Sequence, residues 1–303
     1  MAKFNLEGII VPILTPIDET ETPVLSQLVQ LTDYVIEGGV DAIFASGTTG
    51  EFARFSKEQR NACLKTIVAA AKDRVPVIAG VSDCGTRLVL ENIRQAEDLG
   101  AKAVVTTFPY YFPTSSKKEQ VDFLEEVTSK SNLPVILYNI PAATGVCVGE
   151  EVLDQVSAFD NLYGIKDTSG NRDLVKLMLS KYHDKLKIYV GDERLCAYGL
   201  ESGADGLVPS LANPFPRLLA RVWQAAKAKD WELCRKECAV VDHMNTMNGY
   251  SDSWMSPNIW RKEALSQMGI MSSNFTRPYT PLSDADKDKV SEFIALYAER
   301  YSR

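Results

Sequence analysis

Short, unbroken apolar runs recur along the chain: "GIIVPIL" (8–14), "DAIFAS" (41–46), "VPVIAG" (75–80), "AKAVVTT" (101–107), "LPVILYN" (133–139), "LYGIK" (162–166), "LKIYVG" (186–191) and "DGLVPS" (205–210). A strand with one wet face alternates apolar and polar residues, whereas continuous runs are expected of parallel strands buried on both faces. Between the runs lie segments of helical period. In "SKEQRNACLKTIVAAAKDR", Ser56 followed by Gln59 has the form of a capping box. In "TRLVLENIRQAEDLGA", Leu88, Ile93, Ala96 and Leu99 share a helical face and Gly100 reads as a C-terminal stop. Eight strands alternating with helices predict a (β/α)8 TIM barrel over residues 1–229, with a doubly wound open sheet as the alternative. Further helical segments at 230–248, 257–269 and 284–301 follow without a Gly-, Pro- or Ser-rich linker. They predict a C-terminal three-helix extension, 230–303, within a single domain of 1–303.

Composition narrows the classes. Hydrophobic residues make up 45% and charged residues 24% of the 303, as in a globular chain with a sizeable core. The apolar runs fall short of the ~20 residues of a membrane helix. "MAKFNLEGIIVPILTPIDE" reads directly into a strand without a signal-type cleavage site, so a cytoplasmic location is expected. A net charge of −7 without a Lys/Arg cluster argues against a nucleic-acid partner. The six cysteines form no Cys-x-x-Cys. Cys234 and Cys238 lie one helical turn apart, and they read as reduced structural thiols in a chain with only His183 and His243. No metal site is expected.

Barrel enzymes keep their active sites at the C-terminal ends of the strands. After the second strand, "SGTTGEF" (46–52) is either a Gly-rich turn into the next helix or a small nest. In the nest, backbone N–H groups and the Thr48 and Thr49 hydroxyls would hold a carboxylate. It lacks the glycine and lysine spacing of nucleotide loops. After the fifth strand, "YNIPAATG" puts Tyr138 at the strand end, with Pro141 and Gly145 in the turn. The phenol is a core or rim residue or a proton donor, and spacing does not choose. After the sixth strand comes Lys166. A snorkelling lysine, or a buried ion pair with Asp167, is the plain reading. A desolvated amine forming a Schiff base with a 2-keto acid is the sharper one, favoured by its place at the top of a barrel.

"GTTGE", "YNIPAATG" and "GIKDTSG", in this order and at these strand ends, resemble the dihydrodipicolinate synthase / N-acetylneuraminate lyase family of Schiff-base aldolases. The resemblance runs from "GIIVPILTP" to "RPYTPLS". It implies that Lys166 forms the imine, without any further cofactor, and that Tyr138 shuttles protons. Thr48 would relay them between Tyr138 and Tyr111, the latter reaching in from a neighbouring subunit of a homotetramer built from dimers. Thr49 and the Thr48 backbone would bind the keto acid's carboxylate. The backbone of Gly191, after the seventh strand, and of Val208, on the eighth, would line the pyruvyl pocket.

The dihydrodipicolinate synthases of this family carry an arginine two residues after the proline of the Tyr-Asn-x-Pro motif, where it holds the aldehyde's carboxylate. This chain has Ala143 there, and loss of a bidentate guanidinium should strongly weaken that substrate unless another arginine substitutes. Tyr-Asn-Ile-Pro-Ala is instead similar to the lyase branch. Thr168, Ser169, Asp192, Glu193 and Ser210 offer hydroxyls and carboxylates where the lyases bind polyols; otherwise they are solvated or helix-capping residues. Asp192 and Glu193 also suit a helix start. "VGDERL" lacks the lyases' spacer between glycine and the acidic pair. The expectation is a lyase acting on a 2-keto-3-deoxy sugar acid or related acid, with pyruvate and an aldehyde or sugar acid as partners. Alternatives are 4-hydroxy-tetrahydrodipicolinate synthase, a keto-deoxy sugar acid dehydratase and N-acetylneuraminate lyase. A non-catalytic keto-acid-binding barrel and a metal-dependent aldolase are rivals from other classes.

Overall fold

All eight predicted strands form, each within a residue or two of its apolar run except at the last. A computed structural model describes residues 4–249 and 255–302. The first half runs β1 (Gly8–Pro12), α1 (Leu25–Glu37), β2 (Ala42–Ala45), α2 (Lys57–Ala71), β3 (Val77–Gly80), α3 (Thr86–Asp98), β4 (Ala103–Thr106), α4 (Lys117–Lys130) and β5 (Val135–Asn139). Then follow α5 (Pro141–Thr144), α6 (Glu150–Val156), β6 (Leu162–Asp167), α7 (Arg172–Lys181), β7 (Lys187–Val190), α8 (Cys196–Glu201), β8 (Gly206–Leu207) and α9 (Pro216–Lys227). The strands close into a barrel in chain order, β1 to β8. The doubly wound alternative is thereby excluded. Three C-terminal helices follow: α10 (Trp231–Asn245), α11 (Ser256–Gln267) and α12 (Asp284–Tyr301).

The local signals act as their chemistry requires. Ser56 caps α2, taking the Gln59 N–H on its hydroxyl while the Gln59 side chain takes the Ser56 N–H at 2.9 Å. Gly100, at φ +91°, ends α3 in the left-handed region. The buried face of α3 is Val89, Leu90, Ile93 and Ala96; Leu88 and Leu99, assigned to that face from the sequence, are only half-buried. Val89, Ile93 and Ala96 are spaced i, i+4 and i+7 and so share a face, from which Leu88 is turned by one residue.

Packing divides the chain into two units, Met1–Glu7 with Val77–Val208 and Gly8–Pro76 with Pro209–Arg303. In the first unit β5, β6 and β7 are parallel, with Tyr138 level with Lys166 and Lys166 level with Tyr189. Leu6 reaches the same sheet, accepting the Tyr189 hydroxyl at 2.9 Å and donating to that of Tyr163 at 2.8 Å. The last strand is shorter than its apolar run. Val208 lies just beyond β8, although its N–H still donates to the Val190 carbonyl at 2.8 Å. Pro209 has no N–H to continue the ladder, and Ser210 opens a short 3-10 turn, Ser210–Ala212. In the second unit the fully buried Asn213 donates to the Pro12 carbonyl at 3.0 Å and accepts the Leu14 N–H at 2.9 Å, fixing the end of β1.

Cys234 and Cys238 are both buried on α10, and none of the six cysteines is joined in a disulfide. Among the described residues no helix is long and apolar enough to cross a membrane.

Candidate active site

Lys166 sits one residue before the end of β6 and is 95% buried by the strands on either side. Its ammonium lies 3.7 Å from the centroid of the Tyr138 ring, the residue level with it on β5. Burial pushes its pKa below the usual lysine range, and the nearby phenol of Tyr138 and carboxylate of Glu193 oppose that shift without cancelling it. The amine is therefore easier to deprotonate than an exposed one, which is what a nucleophile requires.

The buried ion pair with Asp167, raised from sequence as the plain reading, is not what the hydrogen bonds of that carboxylate describe. Successive residues of a strand face opposite ways, and the Asp167 carboxylate turns to Asn139 Nδ2 at 2.6 Å and to the Ser169 hydroxyl and N–H at 2.8 and 3.3 Å. Burial raises the Asp167 pKa, held in check by these donors. Asn139 in turn accepts the Val148 N–H at 3.0 Å, so one amide joins the end of β5, the end of β6 and the 146–148 loop. Asn139 stands in the Tyr-Asn-x-Pro motif, but the motif by itself gives the asparagine no role.

Close to the lysine side chain the backbone is packed so tightly that only a glycine fits. A Cβ on Gly191 would stand 2.3 Å from Thr168 Oγ1 and 2.9 Å from Lys166 Cε, both closer than carbon atoms approach. Thr168 Oγ1 is itself buried without a hydrogen-bond partner. A hydroxyl so placed is costly unless something polar arrives to meet it, and it lies against Gly191, which Lys166 Cε also approaches. The Gly191 N–H is held on the Asp167 carbonyl at 2.7 Å.

The other predicted residues are placed as follows. Ser169 commits its hydroxyl to Asp167 and accepts the Asn171 N–H at 3.1 Å, so it shapes the turn. Asp192 caps the 3-10 turn Glu193–Leu195 and binds Arg194, through Nε at 3.0 Å and Nη2 at 2.6 Å. Burial would raise its pKa, but the Arg194 bonds outweigh that and hold it below the usual carboxylate range. Arg194 was not singled out from sequence, although it follows the acidic pair directly. Glu193 is buried. Ala143 is exposed on the four-residue α5, whose start is set by Pro141 and whose end by Gly145 at φ +69°. Tyr111 stands in the β4–α4 loop, 75% exposed, edge-on to Phe112 at 5.0 Å.

In the second unit, Thr48 and Thr49 lie in the turn after β2. Thr49 is buried and Thr48 half-buried. The turn enters through Ser46 at φ +56° and leaves through Glu51 at φ +59°, with the Glu51 N–H on the Thr48 carbonyl at 3.0 Å. The Thr15 hydroxyl donates to the Gly50 carbonyl at 2.8 Å. Ser210 is half-buried at the start of its 3-10 turn. Among the described residues no group of three His, Cys, Asp or Glu side chains is arranged to hold a metal ion.

Residues 5–296 match the dihydrodipicolinate synthetase family. A relative named 4-hydroxy-tetrahydrodipicolinate synthase from Geobacter metallireducens is 30% identical over 295 residues, 96% of this chain and 98% of its own. One of the same name from Parabacteroides distasonis is 27% identical over 97% of this chain and 98% of its own. Among solved structures, the chloride-inhibited dihydrodipicolinate synthase from Acinetobacter baumannii complexed with pyruvate superposes with a TM-score of 0.89 at 28% identity, covering 96% and 98% of the two chains. A prophage protein from E. coli belonging to the dihydrodipicolinic acid synthase family, in complex with pyruvate, does so with 0.90 at 25% identity, over 96% and 98%.

Proposed function

Because the chain belongs to the dihydrodipicolinate synthetase family over residues 5–296, we propose that it is a Schiff-base lyase that breaks or forms a carbon–carbon bond with pyruvate as product or substrate. The observation that carries this reading is the Lys166 amine, buried, with its pKa lowered and set 3.7 Å over the Tyr138 ring. The neutral amine attacks C2 of a 2-keto acid, and loss of water leaves a protonated imine. That cation draws the C3–C4 electron pair into an enamine as the C4 hydroxyl gives up its proton and an aldehyde departs. The enamine takes a proton at C3 and water releases pyruvate. In this reading Tyr138 moves the protons, Thr48 relays them toward Tyr111, and Thr49 with the Thr48 backbone holds the carboxylate. Thr168 and the backbone of Gly191 and Val208 border the keto acid.

For the other half of the substrate, the reading is a 2-keto-3-deoxy sugar acid or a related acid. It rests on Ala143, where the family's synthases place the arginine for the aldehyde's carboxylate. Asp192, Glu193 and Ser210 would then meet hydroxyl groups. A specific observation favours a second reading, pyruvate condensation with aspartate semialdehyde: Arg194, on the rim of the same unit as Lys166, carries a guanidinium 76% exposed, and the curated relatives above bear that enzyme's name. The exposed Tyr111 and Phe112 suit a subunit contact, supporting at least a dimer. A single domain and metal-independent turnover, retained in excess chelator, belong to the same proposal.

Borohydride trapping with pyruvate, read by intact mass, should add a covalent adduct to the native protein and none to Lys166→Ala. An equal adduct on the variant would remove Lys166 from its role. Pyruvate release from a panel of keto-deoxy acids and sialic acid, against pyruvate consumption with aspartate semialdehyde, then separates the two readings. Keto acid formed without free aldehyde would indicate a dehydratase.

A further inference from the structure

Glu51 ends the "GTTGE" turn in a left-handed conformation, φ +59° and ψ +29°, which a glycine or asparagine would adopt at less cost. Its carboxylate is nevertheless buried to within 1% of its surface, and so is the ammonium facing it, that of Lys262 on α11. Oε1 lies 2.6 Å from Lys262 Nζ, an ion pair without the angle of a well-aligned hydrogen bond. Oε2 accepts both the N–H and the hydroxyl of Thr276, at 2.9 and 2.6 Å. Lys262 gives a further proton to the Asn274 carbonyl at 2.8 Å. The segment that supplies these groups is fastened to the β1 loop as well, through the Ser272 hydroxyl on the Ile17 carbonyl at 2.7 Å.

Two charges taken wholly out of water are an inefficient way to stabilise a fold, since apolar residues of similar volume serve as well or better. What such a pair does supply is one geometry, because the carboxylate is satisfied only where ammonium and Thr276 converge. The backbone it fixes is the one that carries Thr48 and Thr49, with the Glu51 N–H on the Thr48 carbonyl and Gly50 held by Thr15. We propose that Glu51, Lys262 and Thr276 are positioning residues, through which the C-terminal helical segment holds the 46–50 turn in the shape that receives the keto acid's carboxylate. The inference rests on the keto-acid reading of that turn. It assigns to α11 and the segment after it a part in substrate selection, although none of the three side chains touches substrate.

The test compares two ketones that condense with the same amine, pyruvate and acetone, of which only pyruvate has a carboxylate. Borohydride trapping is followed by intact mass against ketone concentration in the native protein, Glu51→Gln, Lys262→Met and Thr276→Val. A turn displaced by even an ångström loses on the order of tenfold or more in binding. The preference for pyruvate over acetone should therefore fall at least about tenfold in the first two variants, and about threefold in Thr276→Val, which keeps the ion pair. Acetone trapping should fall much less than pyruvate trapping, since it uses the amine and the proton relay but no carboxylate contact. A merely structural pair would lower the melting temperature and slow both ketones alike; an unchanged preference overturns the inference. Should either charge variant fail to fold, Thr276→Val decides alone by the same criterion. A native protein that pyruvate does not modify would instead overturn the keto-acid reading itself.

Discussion

Gly191→Ala adds one methyl group to the chain, and the geometry says where that methyl goes. Its carbon would lie 2.3 Å from Thr168 Oγ1, 2.9 Å from Lys166 Cε and 3.3 Å from the Asp167 carbonyl oxygen. Carbon contacts settle at about 3.5–4.0 Å, so the hydroxyl must move by roughly 1 Å and the lysine methylene by more than about half that. The hydroxyl can swing away by rotating about its χ1, but Cε carries the nitrogen proposed to attack the keto acid. A misplacement of that order at an attacking atom costs about 10²-fold, or about 2.7 kcal/mol in the barrel's transition state. Overpacking adds about 1–3 kcal/mol of lost stability. The assay is the rate of pyruvate adduct formation at saturating pyruvate, trapped with borohydride, with the fold followed by circular dichroism. Adding Thr168→Ala to Gly191→Ala removes the nearest clashing atom and should recover part of the loss, a coupling that a double-mutant cycle measures. A folded Gly191→Ala that forms adduct at the native rate would refute the claim that the close approach of Lys166 to this glycine sets the position of the amine.

Four further outcomes are expected. Since burial lowers the Lys166 pKa, adduct formation should rise with pH along a limb whose midpoint lies below the ordinary lysine value of 10.5; a midpoint at or above that value contradicts it. The same shift has a stability sign: the folded state holds fewer protons than the unfolded one between the lowered pKa and 10.5, so stability relative to Lys166→Met should increase with pH across that window, measured by urea unfolding. Ala143→Arg, on an exposed face of α5, should raise pyruvate consumption with aspartate semialdehyde by about tenfold or more if the missing guanidinium limits that reaction; no gain would shift attention to Arg194. Asn139→Ala removes the bond to Asp167 and the acceptor of the Val148 N–H, and should cost about 2–4 kcal/mol in denaturant unfolding.

The parallel barrel was legible because its strands are buried on both faces, so each one is written as an unbroken apolar run, and the caps at Ser56 and Gly100 are local chemistry. The end of β8 was misjudged since apolar character continues through Val208 while Pro209 stops the ladder. Lys166 and Tyr138 were legible as candidates from their strand-end positions, and register then set them side by side. The direction of Asp167 was not, because a residue's neighbour in sequence is on the other face of its strand.

By itself the sequence determined the strand and helix order, the strand-end motifs and the absence of an arginine at position 143, all properties carried by residues within one turn or one strand of each other. Only the tertiary structure decided the close packing of Thr168 and Lys166 against Gly191, the clamp at Asn139 and the pairing of Glu51 with Lys262. Glu51 and Lys262 are distant in the chain, and neither has a spacing or a composition that announces the other. A buried charge finds its partner through folding, and the pattern of apolar residues that drives the folding carries no record of which charges it will bring together.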